Sequence, residues 1–203
     1  MSEKEEALAH LSEIKSVLVD KGSFFPYNYT AIMIWGVIGM VLTLSMVPLL
    51  QESVLYGTLF SLSLFAIGFV VEGFLTKKVN EDYDIEDCTH RQRFIMMMFL
   101  GVTLFGVVMT ALLAKHQLYY PIYAIWVFLC GLAHYSVGFV LNMTIFKRSS
   151  FLEVGCALLM LGLMVFLDDL SILQSGWHYL FQGISFLLLG VMPIMIGRKL
   201  KAS

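Results

Sequence analysis

The chain reads as an all-α integral membrane protein: six transmembrane helices in three hairpins, preceded by a cytoplasmic amphipathic helix. Three observations lead there. Of 203 residues, 59% are hydrophobic and only 14% charged, with a mean hydropathy of +0.81. A soluble domain of this size needs more charge on its surface. The apolar residues gather into six runs, each near the length of about 20 residues that a bilayer core requires. Almost every Lys and Arg falls on one side of those runs.

The first element is the arm, residues 1–25. Ser2 and Glu5 fit a capping box. After them Ala7, Leu8, Leu11, Ile14 and Leu18 share one helical face, and Gly22 and Pro26 end the helix. The acidic opening lacks the basic start of a secretory signal. The Leu8, Leu11, Ile14 and Leu18 face is expected to dock on a partner or on the bundle itself. Adhesion to the membrane surface and self-pairing are the other readings.

The six-helix domain, 26–203, is expected to hold spans 29–50, 54–75, 94–114, 119–145, 151–167 and 177–196. Lys4, Lys15, Lys21, Lys77, Lys78, Arg91, Arg93, Lys147, Arg148, Arg198, Lys199 and Lys201 lie on one side of them, and Lys115 alone on the other. Positive residues near span ends mark the cytoplasmic side. Both termini are therefore predicted to be cytoplasmic, in a multi-pass protein of a bacterial inner membrane. The segment Val79 to Arg93 carries five acidic residues and reads as a solvated loop. Pro193 is expected to kink the last span.

The returning helix of each hairpin carries small residues seven apart: Ser61 and Gly68, Gly131 and Gly138, Gly183 and Gly190. Two turns apart, they stay near one face, where small residues let membrane helices approach. They are expected to mark the packing seams. With the basic pair that ends each hairpin, they raise the question of a pseudo-threefold repeat. The unequal glycine spacings of the leading helices speak for chance.

Polar residues inside a membrane usually face the bundle interior. His134 lies midway along the fourth span, one turn after Cys130. It reads first as a hydrogen-bonded packing residue, with a proton- or substrate-linked role as the alternative. Glu72, Asn142 and Glu153 sit at inner-leaflet depth and with His134 form a candidate polar vestibule. Lys77 or Lys78 is within reach of Glu72 along the chain, and Arg148 of Glu153. Cys88, Cys130 and Cys156 have no metal or disulfide spacing. Met96, Met97 and Met98 point about 100° apart on a helix and cannot form one ligand face. No metal and no cofactor is expected. No catalytic constellation is present, and a net charge of −2 gives no case for nucleic acid.

The arm with Glu13-Ile14-Lys15, a basic loop after the fourth span, the glycine-rich fifth span FLEVGCALLMLGL and a basic tail together resemble a group of uncharacterised bacterial six-span inner-membrane proteins. The entry AIMIWGVIGM departs from the serine- and glycine-rich start expected of that group. The resemblance implies the same topology and supplies no activity and no site residues. The expected function is a non-enzymatic membrane sensor, scaffold or accessory subunit, acting through partner or self association as a homo-oligomer or with a membrane or cytoplasmic protein. The alternative is a small oligomeric transporter or channel built on the vestibule.

Overall fold

The computed structural model describes residues 27–83, 89–167 and 176–202. The arm, with Leu8, Leu11, Ile14 and Leu18, lies outside the described residues. Six helices make up the rest: α1 (Thr30–Glu52), α2 (Val54–Asp82), α3 (His90–Lys115), α4 (Tyr120–Val140), α5 (Thr144–Met164) and α6 (Gly176–Ala202). No strand occurs among the described residues.

Five helices, α1 to α4 and α6, are long and apolar enough to cross a membrane. Their outward faces carry large apolar side chains, such as Val70, Phe74, Val108 and Phe139, each exposed. In water such surface would be costly; against lipid tails it is ordinary. The fifth helix, α5, carries Lys147, Arg148 and Glu153 within its 21 residues and is less apolar.

The helix α4 is the centre of the bundle. In its most apolar stretch 61% of residues are buried, against 22% in α2. It packs most extensively on α5, and also on α3 and α6. Its fully buried Tyr120, Ile122, Tyr123, Ala124 and Val127 form much of the core, with Val47 and Leu50 of α1.

The boundaries have local causes. Gln117 (φ 59°) and Asn142 (φ 51°) take the left-handed conformation just past α3 and α4. After α4, the Met143 and Asn142 amides donate to Gly138 O and Phe139 O at 3.0 and 3.3 Å; Leu118 and Gln117 close α3 onto Leu113 O and Ala114 O in the same way, at 2.9 and 3.0 Å. This paired closure normally uses glycine. Asparagine tolerates the left-handed region well. The fourth span expected over 119–145 is therefore cut at Val140, and α5 starts at Thr144, well before 151. The basic pair Lys147-Arg148 lies in the first turn of α5, not in a loop.

The segment Val79 to Arg93 is helical at both ends, and its residues 84–88 lie outside the described residues. The helix α2 runs on to Asp82, and Thr89 and Gln92 form a capping box on α3. The buried Gln92 amide donates to Asn80 Oδ1 at 2.8 Å and ties the two helix ends together.

Hairpin packing differs from expectation in the third pair. The first pair, α1 and α2, and the second, α3 and α4, pack directly. In contrast α5 lies on α4, and α6 lies on α1. Glycines explain the second choice. A Cβ on Gly36 would sit 2.6 Å from Gly190 O. One on Gly39 would collide with Leu189 O, and one on Gly190 with Met40. In α6 the stretch Phe186–Val191 is π-helical. Pro193 follows it and has no N–H to return to Leu189 O, four residues earlier. The helix continues through Pro193 as this wide turn rather than breaking there.

Other seam residues fall into two classes. Gly68 abuts the Trp35 ring, Gly131 abuts Val154 and Glu153, and Gly138 abuts the Lys147 backbone. Ser61 is buried and donates to Gly57 O at 2.8 Å. Gly183 is the exception: a Cβ there meets none of the described residues within 4 Å. A spacing of seven residues holds a face only where the helix keeps its α period. The π turn between Gly183 and Gly190 breaks that period.

Candidate functional site: an interhelical cavity with two carboxylates

A cavity of about 160 Å³ lies among the helices, and all six contribute to its wall. Along α1 it extends from Ile32 to Met46, roughly 21 Å at 1.5 Å per residue. Three of the four candidate vestibule residues, Glu72, His134 and Glu153, line it. Asn142 does not; it is exposed beyond α4 and accepts a hydrogen bond from Lys147 Nζ at 3.0 Å. Its polar side chain belongs to the helix stop.

The carboxylates lie toward the end where α1 begins. Glu72, half-buried on α2, accepts from the Tyr27 hydroxyl at 2.8 Å and from the Trp35 indole at 2.7 Å. Each donor takes a different oxygen. Burial, and then the neighbouring Glu72 charge, push the Tyr27 phenol well above its ordinary value, so Tyr27 stays a donor. The Trp35 ring fits because Gly68 leaves room for it.

Glu153 on α5 is fully buried. Its Oε2 shares a 2.7 Å hydrogen bond with His134 Nδ1. Its Oε1 has no partner among the described residues. Phe99 and Phe146 flank the imidazole, with ring centroids at 6.5 and 5.8 Å. Gly131, one turn before His134, lets α5 approach closely enough to bring the pair together.

The expected basic partners of the two carboxylates are elsewhere. Lys77 lies 4.0 Å from Glu81, and the pair is exposed. Arg148 is exposed. Residues five apart on a helix point about 140° apart, so a glutamate facing inward leaves such a partner facing out. The actual partners, Tyr27 and Trp35, lie 45 and 37 residues from Glu72. No sequence spacing signals them.

The far end of the cavity is apolar and aromatic. Trp126 stacks on Phe65 at 5.1 Å and donates its indole N–H to Thr110 Oγ1 at 2.8 Å. Leu42, Met46 and Tyr123 complete that end. Among the described residues no Lys or Arg is in the wall. Among the described residues no three His, Cys, Asp or Glu side chains gather as metal ligands. The arrangement can hold a small apolar molecule beside the buried His134–Glu153 pair. No protein-family model, no curated protein and no solved structure matches this chain.

Proposed function

We propose that this chain is a small multi-pass membrane transporter whose substrate site is the interhelical cavity. The observation that carries the proposal is the fully buried Glu153 in the wall of a mostly apolar cavity. Burying a carboxylate inside a membrane protein is costly, and such residues mark substrate or ion pathways. In this reading all six helices cross the membrane. Glu153 is hidden against His134, and Phe151, Leu152, Leu158 and Leu159 of α5 are left exposed toward lipid. Both termini are cytoplasmic by the positive-inside rule, in a bacterial inner membrane, as the resemblance to six-span proteins of that membrane also suggests. The exposed apolar faces suit lipid or a second copy.

A second reading is a sensor or accessory subunit that signals through the arm. Its support is Tyr27, which directly follows the arm and donates to Glu72 in the cavity wall. A ligand and the arm would then share one contact.

Occupancy is tested by fluorescence. Trp35 and Trp126 line the cavity and Trp177 does not, so a Trp177→Phe background reports on the cavity alone. The purified chain should respond saturably to 4-phenyl-1-butanol, and Val102→Phe, which fills the wall, should remove the response. A response that only rises linearly, as for partition into the micelle, would sink both readings. Counterflow of 4-phenylbutylammonium across proteoliposomes, set against protein-free liposomes, then separates them. Protein-dependent flux supports transport, and saturable binding without flux supports the sensor.

A further inference from the structure

We infer that the cavity selects an organic cation: a primary ammonium on one aromatic ring or short chain, with its charged head at Glu153 Oε1. The inference rests on the cavity being a binding site and names the chemical class it takes.

Charge is the first ground. Among the described residues the wall holds two carboxylates, one imidazole and no Lys or Arg. Two acidic side chains therefore face one imidazole. A carboxylate in an apolar site is costly unless it is paired. A cation supplies the missing charge, a neutral ligand leaves it unmet, and an anion adds to it.

Hydrogen bonding places the head. Both oxygens of Glu72 are taken by Tyr27 and Trp35. Oε2 of Glu153 is taken by His134, while Oε1 is buried and unpartnered among the described residues. An ammonium donates N–H to such an acceptor in a strong, charge-assisted bond. The rings of Phe99 and Phe146 beside His134 offer faces to the same cation.

Shape places the tail. The two carboxylates lie at one end of the cavity, and Trp126, Phe65 and Met46 at the other. An apolar cavity near 150 Å³ holds about one benzene ring. A cavity of about 160 Å³ therefore takes one ring with a short linker.

The test uses three probes of one shape: 4-phenylbutylammonium, 4-phenyl-1-butanol and 4-phenylbutyrate. Each is titrated into the full chain, with Trp35 and Trp126 emission as the readout. The ammonium is expected to bind at least about tenfold more tightly than the alcohol, the scale of one charge-assisted hydrogen bond, and the carboxylate most weakly. In Glu153→Gln the ammonium should fall to the level of the alcohol. An unchanged emission maximum of Trp35 and Trp126 in that variant without any probe reports that the cavity is still formed. Equal binding of ammonium and alcohol to the wild type would overturn the cation class while leaving the cavity a binding site. Tightest binding of the carboxylate would overturn it too. A cation preference that survives Glu153→Gln would overturn the assignment to Glu153. If none of the three binds saturably, the cavity reading falls with it.

Discussion

Glu72 and Glu153 line one cavity and are built in opposite ways. Glu72 is half-buried, and two neutral donors take its two oxygens. Glu153 is fully buried, and among the described residues one of its oxygens has a partner and the other has none. A satisfied carboxylate ties α2 to α1 and to the residues just before it. An unsatisfied one holds free energy in reserve for something that pairs with it. Glu72 is therefore read as a structural tie and Glu153 as the site. Each depends on a glycine that admits its neighbour: Gly68 for the Trp35 ring, Gly131 for the α5 backbone beside Glu153.

That contrast can be broken by substitution. The largest effect is expected from Gly131→Leu. A Cβ there would already lie 2.9 Å from Val154 and 3.0 Å from Glu153, and the Val154 amide nitrogen at 3.1 Å is α5 backbone, which cannot swing aside. Overpacking should lower stability by about 2–3 kcal/mol and separate His134 from Glu153. Denaturation of the purified protein in detergent measures the first effect. Wild-type stability in this variant would mean that α5 does not sit where the pair requires.

Next comes the direct comparison. Glu72→Leu strands two donors, Tyr27 Oη and Trp35 Nε1, and should cost about 1–3 kcal/mol. It should also shift Trp35 emission. Glu153→Leu strands only the His134 nitrogen and removes an orphaned oxygen, so its cost should be smaller, about 0–1.5 kcal/mol. If Glu153→Leu proves the more damaging of the two, the roles assigned to the two carboxylates are reversed.

The smallest effect belongs to Gly183→Leu. A side chain there meets open space, so the change should stay within about 0.5 kcal/mol. A large loss of stability would show that this face is covered, for instance by a second copy of the chain.

The helical class was legible in the sequence because it depends on runs of apolar residues, and a run is a local property. Apolar helices α1 to α4 and α6 follow directly from it. So does the suspicion that Glu72, His134 and Glu153 face inward, since a polar group in such a run has nowhere cheaper to go. Helix ends were less legible. Asn142 looked like a vestibule residue because a left-handed helix stop and a buried polar group carry the same residue type.

What the sequence determined by itself was composition: enough apolar length for membrane-crossing helices, and too little charge for a soluble surface. Only the tertiary structure decided the partners. It put α6 on α1 through Gly36, Gly39 and Gly190 instead of beside α5. It gave Glu72 to Tyr27 and Trp35, and Glu153 to His134 across 19 residues. The physical reason is range. Hydropathy and helical period act within a few turns of chain. Which glycine meets which ring, and which carboxylate is left short of a donor, depends on how whole helices pack.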